Sequence, residues 1–203
     1  MKKLLLGLLM LFAFTCTFSQ IEGTWKVAPQ AGALSVGPTQ GSAGYWSNSL
    51  GDVTTRACFF DDKFVFVGDG TFNNIMDGNT WLETWQGVTA DACGTPIYPH
   101  DGSEPATWTY DDIAGTLTVT GFGAHLGIPK AVNGCELSAG PGACPVPPSI
   151  TYLVTDITGS IMTLDIDVSG TGGAWWRFLL EKQPEAGSDA TLNDLQVDGS
   201  TIP

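Results

Sequence analysis

The chain has 203 residues, 43% of them apolar, with 26 glycines and eight Lys and Arg against 21 Asp and Glu. A net charge of −13 argues against nucleic acid, whose phosphates reward clustered basic residues, and against anionic membrane surfaces. The same balance argues against a strongly anionic polysaccharide unless calcium bridges the two.

Residues 1–19 read as a secretory leader. Lys2 and Lys3 supply its charged start, and the apolar run from Leu4 to Phe18 is too short for a stable membrane span. Thr17-Phe18-Ser19 puts small residues where a leader peptidase prefers them, so cleavage is expected before Gln20. Ala13-Phe14-Thr15-Cys16 lacks the Gly or Ala that lipid attachment wants before the cysteine. The expectation is a secreted or outer-surface protein without a lipid anchor and without a transmembrane segment. Taking the two leader lysines from the whole-chain charge of −13 leaves 21 acidic residues against 6 basic ones, a net −15.

Residues 20–182 suit one domain with a real core, and helical periodicity is almost absent from them. Short alternating segments bounded by Gly, Asp, Asn and Pro predict an all-β fold, with strands at 24–27, 63–67, 71–75, 80–86, 106–110, 116–120, 150–155, 161–168 and 175–181. Gly68-Asp69-Gly70 suits a tight hairpin turn between the second and third of these. Leu164, Ile166 and Val168 should face the core, with Thr163, Asp165 and Asp167 in water; Trp108, Tyr110, Leu117 and Val119 alternate in the same way. One dry and one wet face per strand means a single antiparallel barrel or, alternatively, a β-sandwich. The stretches 28–55 and 129–149 are too long for connectors and are expected to face a ligand or act as lids.

After Lys182 the composition shifts. Residues 183–189 read as a linker, and 190–203 as the first strand of another β module, which implies further domains of the same polypeptide beyond Pro203.

Export makes Cys58, Cys93, Cys135 and Cys144 candidates for disulfides, with three pairings open. Pairing Cys135 with Cys144 would staple a Gly/Pro-rich loop and leave Cys58 for Cys93. Zinc is disfavoured, because no C-x-x-C spacing occurs and His100 and His125 lie near neither cysteine pair in sequence.

Gly23-Thr24-Trp25, the run Cys58-Phe59-Phe60-Asp61-Asp62-Lys63 leading into Asp69-Gly70-Thr71-Phe72, Ala106-Thr107-Trp108-Thr109-Tyr110 and Trp176-Arg177-Phe178 together resemble the landmarks of lipocalin-like domains in exported bacterial proteins. That resemblance implies a lipocalin-like barrel over 23–182, in which Trp25 packs at the closed end with Arg177 laid across it as a structural cation–π pair. It also implies a binding habit without fixing the ligand. Residues 190–203 resemble the opening of cadherin-like β-sandwich repeats.

Trp81-Leu82-Glu83-Thr84-Trp85 is the leading ligand-binding candidate. If it is a strand, Trp81, Glu83 and Trp85 share one face at about 7 Å per step, giving indole platforms for sugar rings and a carboxylate to accept hydroxyl hydrogen bonds. Tyr45-Trp46, in the long first loop, is the expected second wall. For catalysis, the only ensemble on offer is Glu83, His100, Asp101, Glu104, His125 and Glu136, and no motif fixes any two at a working distance. Calcium could use Asp61, Asp62, Asp69 or the Asp165/Asp167 pair, but none has EF-hand spacing, so a solvated acidic face is expected. The sequence therefore suggests a non-catalytic binding module without cofactor or metal, taking a glycan. Its alternatives are a small apolar ligand inside the barrel, a structural or adhesive role, and a divergent glycoside hydrolase domain.

Overall fold

Alternating apolar residues build most of the chain into strands, and the computed structural model describes residues 20–184. The expected leader and the expected start of a second module lie outside the described residues, as does the expected linker from residue 185 onward. In chain order the elements begin with β1 (Gly23–Val27), β2 (Leu34–Gly37), β3 (Trp46–Ser47), α1 (Leu50–Thr55) and α2 (Ala57–Phe60). Next come β4 (Lys63–Phe66), β5 (Thr71–Ile75), β6 (Thr80–Leu82), β7 (Ala92–Gly94), β8 (Ala106–Asp111) and β9 (Thr116–Thr120). The last are β10 (Ala131–Val132), β11 (Cys135–Glu136), β12 (Ser149–Thr158), β13 (Ile161–Asp167) and β14 (Trp175–Lys182).

Eight of these close an antiparallel barrel in the order β1-β4-β5-β8-β9-β12-β13-β14, with β14 returning to β1 through Trp25↔Lys182 and Val27↔Leu180. Closure removes the exposed sheet edge that an open arrangement would leave. β1 is continued by β2 on the same edge of β14: Ala28 N–H donates to Leu179 O (2.9 Å), and Leu179 N–H donates to Ala33 O (2.8 Å). The chain between those two bonds bows out and rejoins. β2 then pairs with Trp175–Phe178 and carries β3 as an outer strand, so β2 and β3 extend the wall beyond the barrel rim.

The interior is set by inward residues of alternate registers, including Trp25, Phe64, Phe66, Phe72, Leu117, Tyr152, Leu164 and Phe178, all fully buried. The loop at 121–128 crosses this lumen. Leu126 N–H donates to the Tyr152 hydroxyl (2.9 Å), which donates back to Leu126 O (3.3 Å), so one buried phenol satisfies both halves of a plug residue. Burial pushes the Tyr152 pKa up, which keeps the hydroxyl proton available for that second bond. Gly127, at φ +68°, lies so close to the Phe178 ring that a Cβ there would sit 2.5 Å from a ring carbon. The plug thus packs against the inward-facing Tyr152 and Phe178 and ends at Ile128, which lines a cavity at one rim.

Four expectations need correction. The predicted strand 80–86 stops at Leu82: β6 pairs with β7 in a separate two-stranded sheet, and Thr84–Gln86 is a 3₁₀ turn. The stretch 28–55, expected to be irregular, contains β2, β3 and α1, the helix being started by Ser49, whose hydroxyl accepts Asp52 N–H while the Asp52 carboxylate accepts Ser49 N–H (2.7 Å). Asp165 faces outward as the alternation requires, yet it is 0% exposed. There it takes a two-pronged bond from Arg177, Nε to Oδ1 at 2.7 Å and Nη2 to Oδ2 at 2.8 Å. Gly41, in the loop between β2 and β3, lies over that guanidinium; a Cβ on it would be 2.8 Å from Nη2.

The same register explains why Arg177 does not lie across Trp25. Trp25 pairs with Lys182, whose Nζ sits 5.5 Å from the indole, while Arg177 points to the opposite face, opposite Asp165. Trp25 is buried as expected and donates its Nε1–H to Ile21 O (2.7 Å).

Candidate functional site

The open rim holds a cavity of about 510 Å³. Its first wall is built by register. Trp176, Val36 and Trp46 are aligned across β14, β2 and β3, and aligned residues project to the same face. Trp46 and Trp176 meet at a centroid distance of 6.0 Å, and Leu34, two residues before Val36, continues the surface. Ile128 closes the floor from the end of the plug, and Val168 and Ala174 come from either side of the β13–β14 turn. This is the composition of a small-molecule pocket: an apolar body with a few convergent polar groups.

The polar groups come from segments far apart in sequence. Arg56, at the junction of α1 and α2, places its guanidinium carbon 5.4 Å from the Trp46 ring centre and 4.8 Å from that of Trp81. Glu83, just past β6, accepts the Trp85 indole N–H (2.9 Å) and pairs with Lys130 (3.1 Å). Lys130 also lies 5.4 Å from the Trp176 ring centre, and the Trp176 indole N–H donates to Glu136. Glu83, Lys130, Trp176 and Glu136 thus form one chain of contacts along the rim.

Both disulfides flank this site. Cys58–Cys93 ties α2 to β7, and Cys93 stands opposite Trp81 in the β6–β7 pair, so the bridge clamps the segment bearing Arg56 to the one bearing Trp81. Cys135–Cys144 closes the loop next to Glu136. This is the pairing in which the local bridge leaves Cys58 for Cys93. Two disulfides are compatible with an extracellular location. Among the described residues, no helix is long and apolar enough to cross a membrane.

Of the five residues expected to bind ligand, Tyr45, Trp46 and Glu83 line the cavity. Trp81 backs Arg56 from behind, and Trp85 packs on the core while bonding Glu83. Because the chain leaves the strand after Leu82, Trp81, Glu83 and Trp85 do not form a continuous strip on one strand face. Arg56, Lys130 and Trp176 were missed as ligand contacts. Glu136 was considered only within a catalytic ensemble, and that ensemble splits: Glu83 and Glu136 reach the rim, while Asp101 bonds Ser103 in an exposed turn. Among the described residues no cluster of three or more His, Cys, Asp or Glu is placed to hold a metal ion.

His100 and His125 are buried beside the site in a ladder of rings, Trp85 to His100 at 5.7 Å and His100 to His125 at 5.8 Å. Burial, and for His100 its histidine neighbour as well, depresses their pKa values to about 3 and about 4. Asp62 is the converse. Burial pushes its carboxyl up to about 8 despite the hydrogen bond from Thr80, and its Oδ1 has no partner. The unfolded chain takes up protons on both histidines near 6.5 that the folded chain refuses, so stability falls as pH drops below about 6.5. Above that, the folded chain keeps an Asp62 proton that the unfolded chain has lost, so stability falls as pH rises towards 8. Each uncompensated proton is worth about 1.4 kcal/mol per pH unit. Urea unfolding across pH 4.5 to 8.5 is therefore expected to give a maximum near pH 6.5, and Asp62→Asn to flatten the alkaline limb. A profile level from pH 6.5 to 8.5 in wild type would contradict the assignment.

No family model matches this chain, and no curated protein matches it significantly.

Proposed function

We propose that this barrel is a non-catalytic binding module of an exported protein and takes a small organic molecule into the rim cavity. The observation that carries this reading is the cavity itself, about 510 Å³ of space lined by the apolar Leu34, Val36, Trp46 and Trp176 together with Arg56, Glu83, Lys130 and Glu136. Its size lies within the range of small-molecule sites. The plug at 121–128 supports a ligand held at the mouth rather than deep in the lumen. Glu83 and Glu136 are each engaged by a neighbour, which suits fixed walls better than a pair of carboxylates free to work on a glycosidic bond.

A glycan remains the second reading, favoured by Tyr45, which is 61% exposed at the lip beside Trp46 and offers a stacking surface to a chain end. One variant separates the two. Ala174→Trp places an indole in the cavity from its edge, and it is expected to abolish calorimetric binding of decanoate and decanol while moving the thermal midpoint little. Polysaccharide affinity gels run beside it decide the glycan reading. Retardation by a neutral glucan, galactan or mannan that survives Ala174→Trp but is weakened by Trp81→Ala or Trp85→Ala would replace the cavity reading with the surface one.

A further inference from the structure

We infer that Arg56 is an anion anchor and that the ligand of this cavity is an amphiphilic carboxylate: a planar oxyanion head on an apolar body. This rests on the cavity reading above and adds the chemical class of what enters it.

The argument begins with how the basic side chains are spent. Six Lys and Arg follow the leader. Among the described residues Lys26 pairs with Glu181, Lys63 with Asp77, Lys130 with Glu83 and Arg177 with Asp165. Lys182, at the other end of the last strand, donates to Gln20 O and lies over Trp25. Arg56 likewise has no carboxylate within ion-pair distance, although 21 acidic residues are present in the chain, and unlike Lys182 it lines the cavity. Asp52 is the acid that feels it, and only through space: the Asp52 carboxylate is taken by the backbone and hydroxyl of Ser49.

What holds Arg56 is aromatic. Trp46 and Trp81 stabilise its charge through their ring faces, but a ring face is a poor substitute for an oxygen on each N–H. Its Nε is buried without an acceptor. A buried donor in that condition carries a desolvation cost, so the protein itself leaves this guanidinium short of acceptors. Arg56 also lines the cavity, so an acceptor for the rest of its guanidinium comes from whatever occupies that space.

The rest of the wall determines the remainder of the ligand. Lys130 is neutralised by Glu83, whereas Glu136 keeps its negative charge while accepting the Trp176 indole N–H, so Arg56 is the cation of this wall that lacks a carboxylate partner. Leu34, Val36, Ile128 and Val168 present only hydrocarbon. A carboxylate suits the planar, forked donor set of arginine better than a spherical anion does. The Cys58–Cys93 bridge fixes the spacing between Arg56 and Trp81, so the anchor is held in place before the ligand arrives.

The test titrates the exported protein with decanoate and with decanol, which share a chain and differ in the head group, using wild type, Arg56→Gln and Ala174→Trp. Wild type is expected to bind decanoate about tenfold or more tightly than decanol, the difference a charge-assisted hydrogen bond supplies. Arg56→Gln is expected to bind both probes alike, and Ala174→Trp to bind neither. Decanoate labelled with 13C at its carboxyl should remain ionised on the wild-type protein at a pH where the free acid is largely protonated. That reading is made on the native sequence and does not depend on how the Arg56 variant folds. Equal affinities for the two probes in wild type, a decanoate preference that survives Arg56→Gln, or a bound carboxyl that protonates like the free acid overturns the anchor and leaves the cavity reading standing. Absence of binding by either probe, or binding that Ala174→Trp leaves intact, removes the cavity reading and the anchor together.

Discussion

Replacing Arg177 with methionine is expected to cost about 3–5 kcal/mol of folding stability, because it leaves the Asp165 carboxylate buried and alone. Asp165 is 0% exposed and receives both prongs of the guanidinium, under a loop whose Gly41 leaves room for nothing larger. The pair stands on the outer barrel face at the register point Asp165↔Arg177, so its loss frees β2 and β3 as well as weakening β13 against β14. Replacing both partners, Asp165→Leu with Arg177→Met, should recover most of that loss, since no charge is then left without a counterion. Urea denaturation of the single and double variants measures it. A single-variant cost below about 1 kcal/mol, the range of an exposed surface pair, would show that the carboxylate reaches water.

Removing the Cys58–Cys93 bridge by Cys58→Ala with Cys93→Ala is expected to cost about 4 kcal/mol, from the closure entropy of a loop with a sequence separation of 35. The same change at Cys135 and Cys144, separated by 9, should cost about 2.6 kcal/mol on that scale. Beyond stability, the longer bridge holds α2 against β7, and with it Arg56 against Trp81. Its loss should therefore weaken decanoate binding even at temperatures where the barrel remains folded. Thermal unfolding with and without reductant, followed by titration well below the midpoint, separates the two effects. Unchanged affinity in the Cys58/Cys93 variant would mean that packing alone holds the anchor.

The barrel was legible because its signal is local. Alternation across 116–120 and 161–168 marks which residues face inward, and the structure keeps Leu117, Val119, Leu164 and Ile166 in the core. The same signal misled at Trp81-Leu82-Glu83-Thr84-Trp85, where alternation continues past the point at which the chain turns. There Gln86 accepts the Glu83 backbone N–H (2.9 Å) and ends the strand. Alternation places Asp165 on the wet face because a period of two reports which face a residue is on. It does not report whether a distant loop covers that face.

The site was legible only in part, for a related reason. Trp46 stood out because a loop offers an indole little local burial, and Glu83 because two tryptophans flank it. Arg56, Lys130 and Trp176 come from a short helix junction, the turn between the plug and β10, and the last strand. No spacing rule links them, since barrel closure and the Cys58–Cys93 bridge, rather than sequence proximity, bring them to one rim. The one clue was arithmetic: with so few basic residues in so acidic a chain, each has a specific partner or a specific task.

The most direct test of the rim cavity as the binding site is a 1H–15N titration of the seven tryptophan side chains with decanoate. The account predicts that the indole N–H resonances of Trp46, Trp81 and Trp176 shift together with a single saturating isotherm. Trp25 and Trp108, whose indoles donate to Ile21 O and Val67 O within the barrel, should stay in place. Shifts confined to Trp25 and Trp108, or no saturable shift at Trp46 and Trp176, would contradict it.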